Sequence, residues 1–140
     1  MQTLSIALCT YNGSKFLREQ LQSLANQTLP PFEVIVTDDC SIDDTISIIQ
    51  EFAKVLNIKI FANDFPLKVT KNFEKAVSLC SGDIILMCDQ DDIWHPDKLA
   101  KISQYFQDNP NQLAVFSDAD LVDEKGESLN KNFWSVVRFH

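Results

Sequence analysis

Three carboxylates lie within four residues of this 140-residue chain, in the segment Asp89-Gln90-Asp91-Asp92, directly after the apolar run Ile84–Cys88. A buried strand that ends in so much like charge needs either a cation or bulk water, because moving one ionised carboxylate into a low-dielectric site costs several kcal/mol. This acidic loop (residues 89–92) therefore indicates either a solvated turn or a divalent-cation site that holds an anionic substrate. These residues alone leave both interpretations open.

Two further polar segments follow apolar runs: the first loop, residues 10–14 (Thr-Tyr-Asn-Gly-Ser), and the second loop, residues 38–44, which begins with Asp38-Asp39. Each alone is also typical of an ordinary strand-to-helix turn with capping side chains. The first loop lacks the spaced glycines of a dinucleotide-binding loop, so NAD or FAD binding is disfavoured. A receiver-type acidic pocket is disfavoured as well, because the later strand ends carry no lysine.

Apolar runs that suit strands buried on both faces alternate with helical patterns along the chain. The expected strands are residues 4–9, 34–36, 58–61, 84–88 and 113–116, and the expected helices follow residue 14, follow residues 41–43, cover residues 69–80 and follow residue 96. This alternation predicts an α/β fold, a Rossmann-like and mostly parallel sheet with helices on both faces. Because ligands bind at the carboxyl ends of such strands, the three loops should converge on one crevice.

Turn and capping residues complete the prediction of the elements. Ser14 is expected to cap the first helix, and Ser41 or Asp43 the second. Gly82 suits a left-handed residue at the end of the third helix, and residues 124–127 (Glu-Lys-Gly-Glu) predict a hairpin turn.

Composition bounds the class of protein. The length fits one domain, residues 1–140, and 12 basic against 20 acidic residues give a net charge of −8, which argues against nucleic-acid or membrane-surface binding. There is no stretch of about 18 apolar residues and no signal-peptide pattern. Zinc spacing and a disulfide scaffold are absent, so reduced thiols and a cytoplasmic location are expected. The four cysteines are Cys9, Cys40, Cys80 and Cys88.

Taken in chain order, the motifs resemble the N-terminal half of the family-2 glycosyltransferases. The segments that carry the resemblance are residues 5–13, 27–28, 32–41 with 44–45, 69–73, 81–83, 89–94 and 96–99. They cover nearly the whole chain in the right order. The variant Gln-Asp-Asp-Ile-Trp is most similar to the rhamnosyltransferase-type members that build bacterial surface polysaccharides.

The resemblance implies a GT-A fold, in which a nucleotide-binding half precedes an acceptor half, so residues 1–140 are expected to be the truncated N-terminal, donor-binding part of a longer enzyme. The implied activity is metal-dependent, inverting transfer of a sugar from a UDP- or dTDP-linked donor to a saccharide or lipid-linked acceptor. The full-length protein is expected to be cytoplasmic, at the inner face of the membrane.

The resemblance also assigns roles to single residues. The implied nucleotide-binding residues are Thr10, Tyr11, Asn12, Asp38, Asp39, Lys71, Asn72 and Asp89. Asp39 should accept a hydrogen bond from the base, with Asp38 supporting it. Asp91 and Asp89 are the implied ligands of Mn²⁺ or Mg²⁺, with Asp92 as a neighbouring partner, since hard cations prefer carboxylate oxygens. Such a cation explains how an acidic protein binds an anionic donor.

Two departures from the family pattern stand out. Cys40 replaces a usual glycine after the paired aspartates, so the second loop cannot freely adopt a positive φ there. The family's catalytic base is expected beyond His140 and is not assigned to any acidic residue of the segment 118–124.

The sequence leaves other functions open. A nucleotidyltransferase or another α/β protein that binds nucleotide-sugars would also use metal-bound aspartates, and a non-enzymatic metal-binding module would bind cations alone. The apolar C-terminal segment, residues 133–139, predicts a homodimer contact.

Overall fold

The computed structural model describes residues 2–137, and the chain divides into two compact units, Met1–Asp108 and Asn109–His140. The first unit contains β1 Leu4–Thr10, α1 Leu17–Ala25, β2 Glu33–Asp38, α2 Thr45–Phe52, β3 Ile58–Ala62, α3 Lys68–Leu79, β4 Ile84–Cys88 and α4 Lys98–Asp108. The second unit contains β5 Asp120–Val122, β6 Ser128–Asn132 and α5 Phe133–Val137. Across the described residues, no helix has the length and apolar character needed to cross a membrane.

The sheet of the first unit has four strands in the order β3-β2-β1-β4, and all of its neighbours pair in parallel. The chain proceeds outwards from β1 to β3 and then returns through α3 to place β4 on the other side of β1. This change of direction separates the loops that follow β1 and β4 and opens a crevice at the carboxyl edge. The predicted α/β class with a parallel sheet is confirmed.

Alternate residues of β1 face opposite layers of helices. Leu4, Ile6 and Leu8 join the main core cluster together with side chains of α1, α2 and α4, such as Leu21 and Leu99. Full burial of one such side chain contributes roughly 2 kcal/mol. The intervening residues of β1 face α3, which packs on the other side of the sheet. Helices therefore cover both faces, as the sequence predicts.

The expected capping roles differ from the structure. α1 begins at Leu17 without a side-chain cap, and the backbone N–H of Ser14 instead donates to Asp43 Oδ2 at 3.0 Å. The cap position of α2 is Asp44, one residue beyond Asp43, although Asp43 Oδ1 accepts the N–H of Thr45 at 3.0 Å. The prediction for Ser14 is wrong because its backbone joins the first loop to the second.

Gly82 is required for space and not for a left-handed conformation. Its φ is not positive, and α3 already ends at Leu79. A Cβ atom on Gly82 would lie 2.6 Å from Ser5 Oγ and 2.9 Å from the Ser5 backbone nitrogen. The predicted left-handed cap is therefore wrong, and the glycine lets the chain pass close to β1.

The second unit departs from the prediction in one strand. Residues 113–116 form no strand, and Leu113 is 97% exposed. An apolar run forms a strand only when a neighbouring strand pairs with its backbone, and among the described residues no strand pairs with this run. The hairpin is confirmed, since β5 and β6 pair antiparallel around Gly126, which has a φ of +80°.

Two predictions about the fold stay predictions. The chain divides into two compact units, and whether residues 1–140 form a single domain stays a prediction. Residues 138–140, which include the end of the apolar C-terminal segment, lie outside the described residues.

Candidate functional site

The first and second loops are joined through Asp38, whose carboxylate is buried. Asp38 Oδ1 accepts hydrogen bonds from Thr10 Oγ1 at 2.7 Å and from Ser41 Oγ at 2.6 Å, and Oδ2 accepts the Ser41 N–H at 2.8 Å. The backbone N–H of Asp39 donates to the Thr10 carbonyl at 2.8 Å. Asp38 therefore fixes the two loops against each other and turns its oxygens towards the protein.

Asn12 makes a second connection between the same loops. Its backbone N–H donates to Ser41 Oγ at 2.9 Å, and its side-chain Oδ1 accepts the N–H of Ile42 at 2.9 Å. These bonds hold Asn12 at a φ of 45°, a left-handed conformation that asparagine tolerates well.

A cleft of about 640 Å³ opens at the carboxyl edge of the sheet. Its lining residues are Cys9, Thr10, Tyr11, Asp39, Pro66, Lys68, Val69, Asn72, Phe73, Asp89, Gln90 and Asp91. The predicted convergence of the three loops is therefore present in the structure. Of the site residues expected from the sequence, Asn12, Asp38 and Lys71 are not among the lining residues.

Asp39 connects the second loop to the segment that precedes α3. Its Oδ1 accepts the Leu67 N–H at 2.6 Å and the Asn63 side-chain amide at 2.8 Å, and its Oδ2 accepts the Lys68 N–H at 2.9 Å. Burial alone would raise the pKa of this carboxyl, but these donors hold the pKa below its usual value. Asp39 is thus an ionised acceptor at the cleft wall.

The first turns of α3 form the apolar wall of the cleft. Val69 and Phe73, one helical turn apart, both line it. Phe73 therefore lines the cleft, although an aromatic side chain at helical spacing is more often part of the core. Asn72 is 2% exposed, and its amide donates to the Thr37 carbonyl at 2.9 Å, which holds α3 on the sheet.

The lysine in the cleft is Lys68. It lines the cleft at a φ of +64°, whereas the side chain of Lys71 forms an exposed ion pair with Glu74 at 2.6 Å. The role that the resemblance gives to Lys71 stays a prediction, and Lys68 is the better placed cation.

Backbone strain is concentrated around the cleft. Besides Asn12, both Lys68 and Cys40 have positive φ, and the value for Cys40 is +66°. The second loop therefore adopts the left-handed conformation even without the usual glycine. Non-glycine residues in this region cost about 1–3 kcal/mol each and persist where the surrounding structure enforces them, often at functional sites.

The acidic loop forms the opposite end of the cleft. Partial burial, followed by the negative charge of Asp91, raises the pKa of Asp89. Partial burial, followed by Asp89 and Asp91, likewise raises the pKa of Asp92. Within residues 2–137 no group of three or more ligating side chains is ready for a metal ion. Closely spaced carboxylates that repel one another nevertheless match the ligands that hard divalent cations prefer.

Half of the lining residues were not among the site residues predicted from the sequence, namely Cys9, Pro66, Lys68, Val69, Phe73 and Gln90. The four from Pro66 to Phe73 could have been predicted, because they lie just before α3 or in its first turns. A helix that follows a strand starts at the carboxyl edge of a parallel sheet. Cys9 gives no such signal, and burial raises the pKa of its thiol to about 11, so it is unreactive at neutral pH.

Comparisons with known proteins support the family resemblance that the sequence motifs carry. The family model described as glycosyl transferase family 2 matches residues 5–135. The poly(ribitol-phosphate) beta-N-acetylglucosaminyltransferase TarS of Staphylococcus aureus is 31% identical over 131 residues, which are 90% of this chain and 22% of TarS. The dTDP-rhamnosyl transferase RfbG of Shigella flexneri is 37% identical over 99 residues, 66% of this chain and 34% of RfbG. The chain thus spans well under half the length of both relatives.

Solved structures confirm the expected fold. Crystal structures of S. aureus TarS 1-349 in complex with UDP and with UDP-GlcNAc each match with a TM-score of 0.74 and 28% identity. Each match covers 82% of this chain, and 38% and 37% respectively of the TarS chains.

Proposed function

Because the chain belongs to glycosyl transferase family 2, we propose that its cleft binds the nucleoside diphosphate of a UDP- or dTDP-linked sugar donor. The whole protein would transfer that sugar to a saccharide or lipid-linked acceptor during synthesis of bacterial surface polysaccharide. One observation carries the proposal: a single cleft has an ionised acceptor, Asp39, on its wall and the acidic loop at its end. The UDP complexes of TarS and the name of RfbG support the donor class.

The wall of the cleft suits a pyrimidine nucleoside. Tyr11, Val69 and Phe73 offer apolar and aromatic surface to a base, and stacking on such surface contributes about 1–3 kcal/mol. Asp39 accepts hydrogen bonds and cannot donate them while it is ionised. Uracil and thymine offer this acceptor a ring N–H at position 3, whereas cytosine presents a lone pair there and donates only from its exocyclic 4-amino group. We therefore expect UDP and dTDP to bind more tightly than CDP.

The acidic loop suits the diphosphate end of the donor. Asp91 and Asp89 would hold Mn²⁺ or Mg²⁺ through their carboxylate oxygens, and such an ion supplies Lewis-acid stabilisation of the leaving diphosphate. Lys68 also lines the cleft and adds a positive charge without a metal. Both features compensate the negative charge of the donor in a chain whose net charge is −8.

The proposed reaction is a single displacement with inversion. An acceptor hydroxyl oxygen forms the new bond to the anomeric carbon while the bond from that carbon to the diphosphate oxygen breaks. The electron pair of the broken bond leaves with the nucleoside diphosphate, and the hydroxyl proton passes to a general base. No residue of this chain is assigned that role, so the proposal concerns donor binding.

Calorimetric titration tests donor binding. UDP and dTDP should bind in the presence of Mn²⁺ or Mg²⁺, and CDP should bind at least about tenfold more weakly, a difference of roughly 1.4 kcal/mol. Asp91→Asn should weaken metal-dependent UDP binding by a similar factor or more. Asp108→Asn makes the same change in charge at the far end of α4 and should leave the affinity unchanged.

Four results would contradict the proposal. The first is no metal-dependent nucleotide binding, and the second is binding that Asp91→Asn leaves unchanged. Cation binding without preference for nucleoside diphosphates would favour a metal-binding module. Release of pyrophosphate from a nucleoside triphosphate and a sugar phosphate would instead favour a nucleotidyltransferase.

A further inference from the structure

We propose that Gln90 is a positioning residue that couples the acidic loop to the first loop, so that a cation held by one loop strengthens nucleoside binding by the other. Gln90 lies between the expected metal ligands Asp89 and Asp91 and lines the cleft. The inference rests on the proposed function for its ligands, but the contact itself is a feature of the chain alone.

The contact is a pair of hydrogen bonds to one residue. The Tyr11 backbone N–H donates to Gln90 Oε1 at 2.9 Å, and Gln90 Nε2 donates to the Tyr11 carbonyl at 3.1 Å. The two residues are 79 positions apart in the chain. A primary amide is the side-chain group that can donate and accept at once in this way without a charge. The amide of Gln90 thus pairs with Tyr11 much as a neighbouring strand would.

Gly13 provides the space for this amide. A Cβ atom on Gly13 would lie 2.2 Å from Gln90 Oε1 and 2.7 Å from Gln90 Cδ. Gly13 does not have a positive φ, so its backbone conformation does not require glycine. The absence of a side chain at this position therefore serves the amide of Gln90.

The backbone of Gly13 is held in place and cannot move away from Gln90. Its N–H donates to Thr45 Oγ1 at 2.8 Å, and its carbonyl accepts the N–H groups of Phe16 at 3.1 Å and Leu17 at 3.0 Å. A methyl group on Gly13 would therefore displace the flexible side chain of Gln90 instead. Gly13→Ala and a change at Gln90 should act through one and the same contact.

The chemistry of the acidic loop favours an amide at this position. Glutamate would add a carboxylate among three others and would lose the donor to the Tyr11 carbonyl. Asparagine is one methylene shorter and would not reach both backbone groups. Methionine has the length of glutamine without its donor and acceptor, so Gln90→Met removes the two hydrogen bonds at nearly constant volume.

The test is a double-mutant cycle with two readouts. The variants are Gln90→Met, Gly13→Ala, the double variant and, as a matched control on the exposed face of α4, Gln104→Met. The first readout is the exchange rate of the Tyr11 backbone amide without ligand, measured by NMR. The second is the factor by which Mn²⁺ raises the affinity for UDP, measured by calorimetry.

We expect each single variant to speed Tyr11 exchange about tenfold and to lower the Mn²⁺ factor about tenfold, each a change of roughly 1.4 kcal/mol. The double variant should be no worse than either single variant, because contacts removed together are not additive. Gln104→Met should change neither readout. Should Gln90→Met fail to fold, Gln90→Asn takes its place with the same expectations.

Additive losses in the double variant, or Tyr11 exchange that Gln90→Met leaves unchanged, would overturn the inference. A Mn²⁺ factor that stays constant while exchange speeds up would also overturn it, since the contact would then be structural only. If the unaltered chain does not bind UDP with Mn²⁺, the proposed function fails, and Tyr11 exchange alone then decides whether Gln90 holds the first loop.

Discussion

Asp38 and Asp39 are adjacent in sequence, yet their carboxylates serve different parts of the molecule. Both carboxylate oxygens of Asp38 accept hydrogen bonds from Thr10 and Ser41, and these bonds hold the first and second loops together. Asp39 lines the cleft, and its Oδ2 can accept a further hydrogen bond, since among the described residues it accepts one protein donor, the Lys68 N–H. These contacts fit the roles that the resemblance implies, in which Asp39 recognises the base and Asp38 supports it.

The strain at Cys40 gives a prediction for a single residue. Cys40→Gly should raise the Tm by about 3 °C, because glycine adopts the left-handed conformation at φ +66° without a Cβ clash. The lost contact from Cys40 Sγ to the Asn63 carbonyl at 3.2 Å is a weak hydrogen bond and offsets little of the gain. Thermal unfolding followed by circular dichroism measures the change.

Cys80→Gly is the matched control for this prediction. Cys80 has an extended backbone with a φ of −71°, so glycine there relieves no strain. Like Cys40→Gly, the change increases the freedom of the unfolded chain and removes a weak thiol hydrogen bond, here to the Ala76 carbonyl at 3.3 Å. Its Tm should fall. A Tm of Cys40→Gly that falls as far as that of Cys80→Gly would show that the second loop is not strained at this residue.

At the scale of elements, Glu33 at the start of β2 connects the amino ends of β1, β2 and β3, at the edge of the sheet away from the cleft. Its Oε1 accepts bonds from Ser5 Oγ at 2.8 Å and from the Ser81 N–H at 2.6 Å, and Lys59 Nζ donates to its Oε2 at 2.8 Å. Burial alone would raise the pKa of Glu33, but these donors lower it to about 2. The side chain is 1% exposed, so the amino edge of the sheet depends on a buried charge.

Glu33→Gln should lower the free energy of unfolding by roughly 2–4 kcal/mol at neutral pH, because an amide cannot accept all of these donors. Since the pKa of Glu33 is about 2 when folded and 4.5 in its ordinary state, its contribution is complete above about pH 4.5 and is lost as the pH falls towards 2. The difference between the two proteins should therefore shrink on acidification. Urea titrations across that range measure it.

Glu51→Gln provides the control, because Glu51 forms an exposed ion pair with Arg18. Exposed pairs contribute little to stability, so this variant should unfold like the unaltered chain at neutral pH. A Glu33→Gln variant with an equally small effect, or with an effect that does not depend on pH, would show that the buried charge is not needed.

The elements differ in how far sequence could predict them. The buried strands β1, β2 and β4 are predictable, because a short apolar run between turn residues is typical of a buried strand. The run 113–116 has the same pattern but pairs with no described strand. The cleft wall at Phe73 and the contact from Gln90 to Tyr11 join parts of the chain that only the fold brings together. No local pattern marks such contacts.

At the scale of the whole molecule, the homodimer contact expected of the apolar C-terminal segment, residues 133–139, stays a prediction. Val136, in the described part of that segment, is 55% exposed. Sedimentation velocity should show a coefficient that rises with protein concentration, and Val136→Glu should reduce the rise because it places charge in a contact of apolar surface. Val55→Glu, at a 70% exposed position of the first unit, should not. A coefficient that is constant with concentration would contradict the predicted homodimer.

The central claim is that the cleft holds a nucleoside diphosphate and a divalent cation together at the acidic loop. Paramagnetic NMR of the 15.9 kDa chain tests it most directly, because Mn²⁺ broadens the signals of amides close to it. With UDP present, a small amount of Mn²⁺ should first erase the signals of Asp89, Asp91 and Tyr11, and excess Mg²⁺ should restore them. Broadening that begins in the acidic segment 118–127 of the second unit, or that is the same without UDP, would contradict the claim.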